Sequence, residues 1–236
     1  MSRLPVPRTG AGSREVAAGL QSRIRGMEST RLGLETRPAA AGFAGLLPGG
    51  ALRPGAVYAV DGSVSLLLAL LAGPSVAGSW CGIIGLPDLG PEAATSLGID
   101  LARLVLVPAP GDHWLTVTAA LADVLPVVAV RPPRRVSETE ASRLGARLRQ
   151  RGCTLLVAGE WPQAEARLSL RTNTWSGLGF GHGHLTGREV LVAASARSGF
   201  PRTARMSLAG LSSDAPADQD SRLDVQLPAL RYGEAV

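Results

Sequence analysis

The chain contains no lysine, so all 24 of its Lys+Arg residues are arginine. A nucleotide-hydrolysing P-loop has the pattern Gly-x4-Gly-Lys-[Ser/Thr], in which the lysine contacts the β- and γ-phosphates. A chain without lysine has no residue for that contact, so the absence excludes a standard P-loop. Ala, Gly, Leu and Val are abundant as well. The arginine preference is therefore typical of a GC-rich coding sequence and has little physical meaning by itself.

Cysteine and long apolar runs are also scarce. The two cysteines, Cys81 and Cys153, each lie in an apolar run, and we predict buried thiols of a reducing compartment rather than a disulfide. The longest apolar run, residues 66–72, is much shorter than the roughly 18 residues that span a membrane. The arginine-rich N-terminus has no apolar signal region, so we expect a cytoplasmic protein; a transit peptide is the alternative interpretation.

Aromatic and charged residues are few, and the charges do not balance. Of 236 residues, 4% are aromatic and 18% are charged, and the formal net charge is +5. A chain of this length can hold one ample hydrophobic core. A basic chain can bind nucleic acid or an acidic partner through electrostatics, and a generally basic surface without a partner is the alternative.

Composition shifts along the chain predict four segments. Residues 1–37 form a flexible N-terminus with an amphipathic helix capped by Ser13, which either packs on the core or docks on a partner. Residues 38–48 are a Pro/Gly/Ala linker, and residues 49–209 are the core domain. Residues 210–236 are an acidic, Pro-containing tail that we expect to be disordered.

Within the core, short aliphatic strands alternate with helices. The strands are predicted at 56–60, 80–84, 104–107, 127–130 and 154–158, and the helices near 65–72, 91–97, 113–125 and 137–151. Continuous aliphatic strands are typical of parallel sheets that are buried on both faces. Segments 167–171, 189–193 and 205–208 alternate with period two, which predicts antiparallel strands joined by a Gly-rich connection at 175–184. The fold class is therefore α/β, a doubly wound, mostly parallel sheet with antiparallel edge strands near the C-terminus.

The first core strand leads into a shortened P-loop position. Gly62, Ser63 and Ser65 follow the strand directly and open the next helix, and leucines occupy residues 66–68. A strand, a Gly turn and a helix N-terminus are the setting of a phosphate site, but one glycine alone survives here. We interpret the stretch as a degenerate P-loop that binds no cofactor, and the two serines as helix caps.

From residue 49 to about residue 208 the order of elements resembles the RecA core. The resemblance is most specific in residues 49–62, which lead into the P-loop position, in residues 93–104 with their Leu-Gly-Ile-Asp helix end, and in the closing strand pair at 188–192 and 197–208. It covers roughly two thirds of the chain. The order of the segments, more than any one motif, carries the likeness and implies a RecA-like fold.

The departures from RecA remove the chemistry that the family uses. In that family a Lys and a Ser/Thr hold phosphates and Mg²⁺, an acid after the second core strand activates water, and an Asp ends the Walker-B strand. Here residues 84–87 read Ile-Gly-Leu-Pro, and Val130 is followed by Arg131. Each preorganised charge in such a site contributes on the order of 3 kcal/mol, so we expect no catalytic residue, no metal site and no ATPase. Asp88 is the one acid that could substitute.

The two DNA-binding loops of RecA correspond here to the short segments 132–136 and 159–164. A RecA-shaped core without hydrolysis and with trimmed DNA loops is similar to the ImuA/SulA group, and most similar to its actinobacterial branch, the ImuA-prime-like mutasome accessory proteins. The resemblance implies a non-catalytic adaptor in DNA-damage-induced translesion synthesis (the SOS response).

The implied protein partners are ImuB, an inactive Y-family polymerase relative, and RecA, on the bacterial nucleoid when damage is induced. DNA contact is then indirect or weak. Alternatives are a SulA-like cell-division inhibitor, a residual ATP-binding RecA-like protein, and a direct DNA-binding module.

Two surface features are candidates for partner or nucleic-acid contact. Six arginines make the best basic patch, which can contact phosphates or form a solvated face balanced by Glu138 and Glu140. They are Arg131, Arg134, Arg135, Arg143, Arg147 and Arg151. Trp161, in a Glu-Trp-Pro turn, is the candidate partner anchor, because interface hot spots favour Trp and Arg. The other tryptophans, Trp80, Trp114 and Trp175, are interpreted as core and edge packing.

The His182-Gly183-His184 sequence supplies two of the ligands that a metal site requires, without a third nearby, so we interpret it as a polar turn. The alternating glycines from Gly177 to Gly183 precede a strand rather than a helix. They therefore do not form a dinucleotide-binding fingerprint.

Overall fold

The structure is a computed structural model that describes residues 36–179, 182–197 and 199–208. The elements below belong to a compact unit that begins at Arg37. The predicted N-terminal amphipathic helix and acidic tail lie outside the described residues. Within the described part, none of the helices has both the length and the apolar character to cross a bilayer.

From residue 57 to residue 158 the described strands and helices alternate as the sequence predicts. The strands are β1 (Arg37–Pro38), β2 (Ala51–Leu52), β3 (Val57–Asp61), β4 (Cys81–Ile84), β5 (Leu104–Val107), β6 (Val127–Val130), β7 (Thr154–Ala158), β8 (Ala166–Gly179), β9 (His182–Ala196) and β10 (Arg202–Ser207). The helices are α1 (Val64–Val76), α2 (Pro91–Ser96), α3 (Trp114–Ala122) and α4 (Glu138–Arg151).

Eight of these strands form one sheet in the order β10-β9-β8-β3-β7-β6-β4-β5. The six strands from β8 to β5 pair in parallel, whereas β8 with β9 and β9 with β10 pair antiparallel. The predicted architecture is confirmed: an α/β fold with a mostly parallel sheet and antiparallel edge strands near the C-terminus.

Hydrophobic layers on both faces hold this sheet in place. One layer contains α1, whose leucines from Leu66 to Leu71 are at most 2% exposed, and the other contains Trp114 of α3 and Leu148 of α4. Helix α4 is amphipathic, starts at a capping box between Ser137 and Glu140, and ends at Gly152 in the left-handed conformation. These are the local signals that fix a helix at both ends.

The predicted linker at 38–48 is wrong, because that segment folds onto the core. Phe43, Leu46 and Leu47 are buried in the same layer as α1. Strand β1 pairs with β2, and the Arg37 guanidinium donates hydrogen bonds to Thr154 Oγ1 (3.2 Å) and the Gly152 carbonyl (2.8 Å). Glycines and alanines let the chain turn closely here, which gives a linker-like composition to a packed segment.

The predicted Gly-rich connection at 175–184 is also corrected. Most of it belongs to β8 and β9, which form a hairpin of 14 and 15 residues. Gly187 faces Ser176 across this hairpin, and a Cβ at Gly187 would clash with the Ser176 Oγ. Glycine is used there for close cross-strand packing, so it does not end the strand.

The two cysteines are free and buried, as predicted. Burial raises the pKa of both thiols to about 12. We expect no reaction of either thiol with Ellman's reagent in the native protein at neutral pH, because the thiolate is the reacting species. Both should react after unfolding in guanidinium, which is the control. Fast reaction of one thiol before unfolding would contradict the buried placement.

Candidate functional site

The carboxyl edge of the parallel strands is the place where ligands of open α/β sheets bind. Strand β3 ends at Asp61, Gly62 takes a φ of 70°, and α1 starts at Val64. The connection is two residues long. The Ser63 Oγ accepts a hydrogen bond from the Leu66 backbone nitrogen (3.2 Å), so the N-cap interpretation of Ser63 is confirmed.

Ser65 is not a cap, since it lies inside the first turn of α1 and is half-buried. The exposed residue at the end of β3 is Asp61, a carboxylate, which repels phosphate rather than binding it. The two-residue turn, the occupied Ser63 hydroxyl and the absent lysine do not fit a magnesium nucleotide.

The neighbouring strand ends are closed by backbone. After β4, Gly85 has a φ of 75°, and a Cβ at this position would lie 2.5 Å from the Arg131 carbonyl oxygen. The Arg131 backbone nitrogen donates to the Ile84 carbonyl (2.9 Å), and the Gly85 nitrogen donates to Val107 (2.9 Å). The position after β4, where the RecA resemblance implies an acid, therefore has no room for a side chain.

A groove beside this edge contains part of the predicted basic patch. It has a volume of about 530 Å³, and we call it the strand-end groove. Its lining includes Pro132, Arg134, Arg135, Glu160, Trp161 and Arg167. Arg134 pairs with Glu140 (2.6 Å) and Arg167 pairs with Glu160 (3.6 Å), so two of its three arginines already have acidic partners.

The predicted partner anchor Trp161 is wrong. Its side chain is 3% exposed and belongs to the same buried cluster as Val130 and Val157. Trp80 and Trp175, interpreted as core or edge packing, are not core residues, because each is 50% exposed. Trp114, at 1% exposure, is core as predicted.

The six arginines of the predicted patch do not form one free stripe. Arg147 and Arg151 both contact Asp123 at the end of α3, and the hydrogen bond from Arg147 is the largest cause that lowers the Asp123 pKa to about 2. Hydrogen bonding from Arg134 similarly lowers the Glu140 pKa to about 2. Three of the six arginines are therefore already paired with a carboxylate and are not free to bind phosphate.

The remaining arginines, Arg131, Arg135 and Arg143, are exposed and form no ion pair with any residue that the structure describes. Arg131 and Arg135 follow β6, whereas Arg143 lies on α4. The patch is therefore a set of separate arginines on two elements.

A second groove lies between α3 and α4, with a volume of about 330 Å³. We call it the interhelix groove. Leu115, Ala119 and Leu144 give it an apolar lining, and Arg143 and Arg147 add basic groups. An apolar groove with basic groups suits a protein segment better than a phosphate chain.

The metal prediction has one structural test. Among residues 36–179, 182–197 and 199–208, no group of three or more His, Cys, Asp or Glu is arranged to hold a metal ion. The backbones of His182 and His184 belong to β9. They therefore lie in a strand, where the sequence indicated a turn.

Sequence reasoning missed one arrangement altogether. Trp175 of β8 lies opposite Arg188 of β9, and the guanidinium carbon is 4.9 Å from the centre of the indole ring. The Arg188 Nε donates a hydrogen bond to the Asn173 Oδ1 (2.8 Å). In the sequence, the signal was the mostly polar run at 171–176, in a segment that the glycines suggested was a connection. In the structure, this run lies beyond the last described buried residue of β8.

Comparison with known proteins gives one family and several distant structures. Residues 45–163 match the model of the MT3502 N-terminal domain. The chain is 42% identical over 130 residues to the uncharacterized protein Rv3395c of Mycobacterium tuberculosis, which covers 53% of this chain and 64% of that relative. The match thus spans less than two thirds of the relative's length.

Two solved structures also align with the chain. The KaiC-like protein of Pyrococcus horikoshii has a TM-score of 0.49 and 13% identity over 75% of this chain and 97% of its own. The flagellar accessory protein FlaH of Methanocaldococcus jannaschii has a TM-score of 0.44 and 12% identity over 63% of this chain and 81% of its own.

Proposed function

This chain belongs to the MT3502 N-terminal domain family, and we propose that it is a non-catalytic adaptor in DNA-damage-induced translesion synthesis and mutagenesis. Its protein partners are an ImuB-like, inactive Y-family polymerase relative and a RecA-like protein. It acts in the bacterial cytoplasm, on the nucleoid after damage. Its own contribution is to hold these proteins together.

One observation supports this proposal above the others: the strand ends that would act on a nucleotide are occupied by structural contacts. Ser63 caps its own helix, and Gly85 packs against the Arg131 carbonyl. Arg131 follows the strand that would end in a metal-binding acid. A RecA-like fold without this chemistry retains a rigid sheet with helices on both faces, which is a scaffold for binding partners.

The interhelix groove is the docking surface that we propose for the polymerase relative. Its apolar side chains, Leu115, Ala119 and Leu144, suit the apolar face of a partner helix. Arg143 lies beside them and forms no ion pair within the described residues. The occupant is thus an amphipathic helix with an acidic residue opposite Arg143.

Co-purification of the full chain with the polymerase relative and with RecA tests the adaptor role. We expect both to be captured, with no change on adding ATP and Mg²⁺. Ala119→Arg should lower capture of the polymerase relative about tenfold or more, because it fills the groove with a charged side chain. Ala102→Arg, on an exposed turn before β5, is the matched control and should leave capture unchanged.

Three results would contradict the proposal. Capture of neither protein would remove the adaptor role, and micromolar ATP binding in calorimetry would favour the residual nucleotide-binding alternative. Cell filamentation on overexpression, with normal damage-induced mutagenesis after deletion, would favour the division-inhibitor alternative. Equal losses for Ala119→Arg and Ala102→Arg would move the docking surface away from the interhelix groove.

A further inference from the structure

The β8–β9 hairpin extends well past the carboxyl edge of the parallel sheet. Ser169 of β8 pairs with Asp61, the last residue of β3, and β8 continues for ten more residues to Gly179. At about 3.3 Å per residue this extension is roughly 33 Å long. We call residues 171–179 and 182–189 the hairpin arm. It starts beside the degenerate P-loop position and projects beyond it.

The described side chains of the first strand of the hairpin arm are those of a surface, not of a core. All six residues from Arg171 to Ser176 are exposed, although strands of a packed sheet bury at least alternate side chains. A six-residue run with both faces exposed has no structural need for a tryptophan. Trp175 nevertheless lies there with half of its surface open to solvent.

Trp175 is held in a defined orientation by its neighbours. Arg188, directly opposite on β9, places its guanidinium 4.9 Å from the ring centre, and Asn173 accepts a hydrogen bond from the Arg188 Nε. Because strand side chains alternate, Asn173, Trp175 and Arg188 share one face. Among the described side chains of the arm, Glu189 is the one acid. It pairs with Thr174 and therefore lies on the opposite face. The Trp175 face is therefore cationic.

We propose that the hairpin arm binds single-stranded nucleic acid, with a base stacked on Trp175 and a neighbouring phosphate on Arg188. Single-strand binding uses aromatic rings as stacking platforms beside basic groups that contact the backbone. The arm offers this pair, with Arg171 as a further cation. A protein interface would require an apolar centre. The neighbours of Trp175 on its own face are instead Asn173 and Arg188, whose polar groups suit sugar and phosphate contacts.

This surface is distinct from the interhelix groove, and its binding does not depend on the adaptor role. Strands β8 and β9 carry it, whereas α3 and α4 form the groove. It also differs from the predicted arginine patch, which follows β6 and runs along α4. A nucleic-acid assay with the chain alone therefore tests the arm separately from partner capture.

Fluorescence anisotropy with a labelled oligodeoxythymidine of about 16 nucleotides, at low salt, is the test. We expect Trp175→Ala to raise Kd about tenfold or more, because one base loses its stacking platform. Trp175→Phe keeps an aromatic ring and should therefore raise Kd much less. Trp80→Ala is the matched control, since Trp80 is also 50% exposed but precedes β4 on another part of the sheet, and it should bind like the wild type.

The salt dependence gives a second readout that a structural role of Arg188 would not move. Loss of one single-strand phosphate contact lowers the slope of log K against log salt by about 0.7, so Arg188→Gln should show that change. Absence of oligonucleotide binding by the wild type, or equal binding by Trp175→Ala and Trp80→Ala, would overturn the proposal. If Trp175→Ala bound the oligonucleotide like the wild type but no longer captured a partner protein, the proposal would also be overturned, in favour of protein docking.

Discussion

Replacing Trp161 by alanine will lower the free energy of unfolding by about 3–5 kcal/mol, the usual cost of removing a buried aromatic side chain. The sequence places Trp161 in a Glu-Trp-Pro turn, which favours an exposed anchor. The structure buries it to 3% exposure in the cluster that also contains Trp114. Chemical denaturation of the wild type and of the variant, monitored by far-UV circular dichroism, measures the difference.

Trp175→Ala is the matched control for this experiment, because the residue type and the substitution are the same and the burial differs. Trp175 is half-exposed on the hairpin arm, and surface substitutions usually change stability by less than about 0.5 kcal/mol. A Trp161→Ala variant of unchanged stability that no longer captured a partner would restore the anchor interpretation. Similar losses for both variants would contradict the difference in burial.

The regular part of the fold could be predicted closely from the sequence. Strands β5, β6 and β7 match the predicted ranges, and helix α4 begins one residue after the predicted start, at the position that its capping box sets. Each of these segments carries its own local signal: continuous aliphatic residues for a strand buried on both faces, or a cap at each end of a helix. Such signals do not depend on distant residues.

The burial of single residues could not be predicted, because it depends on which distant elements meet. Phe43 and Leu47 lie in a Gly/Ala-rich segment that resembles a linker, yet the sheet and α1 cover them. The tryptophans show the same limit: Trp161 is buried and Trp175 is exposed. Local composition indicated an exposed Trp161 and did not indicate how far Trp175 is exposed.

The ion pairs of the arginine patch could not be predicted from the sequence for the same reason. Arg147 and Arg151 are spaced for a basic stripe along α4, and their partner Asp123 is 24 and 28 residues earlier in the chain. Only the packing of α3 against α4 brings them together. By contrast, the Arg134 contact with Glu140 spans only six residues, and the local sequence already indicated Glu140 as a balancing acid.

Gly85→Ala is the second large effect that we expect, a loss of about 3 kcal/mol or more in the free energy of unfolding. The φ of 75° is a conformation that costs an L-residue about 1–2 kcal/mol. The new Cβ would also lie 2.5 Å from the Arg131 carbonyl oxygen. Relieving that clash requires a backbone shift, of the kind that costs about 1–3 kcal/mol in overpacked cores.

Gly62→Ala separates the two contributions, because Gly62 has a similar φ of 70° but no atom within 4 Å of its Cβ position. It should lose about 1–2 kcal/mol from the backbone conformation alone. If both variants lost the same free energy of unfolding, the close approach of the Arg131 carbonyl to Gly85 would be contradicted.

A larger loss for Gly85→Ala would mean that backbone closes the place where the RecA resemblance implies a catalytic acid. A carboxylate could not then return there without moving β6, which is the physical reason why this scaffold suits binding better than hydrolysis.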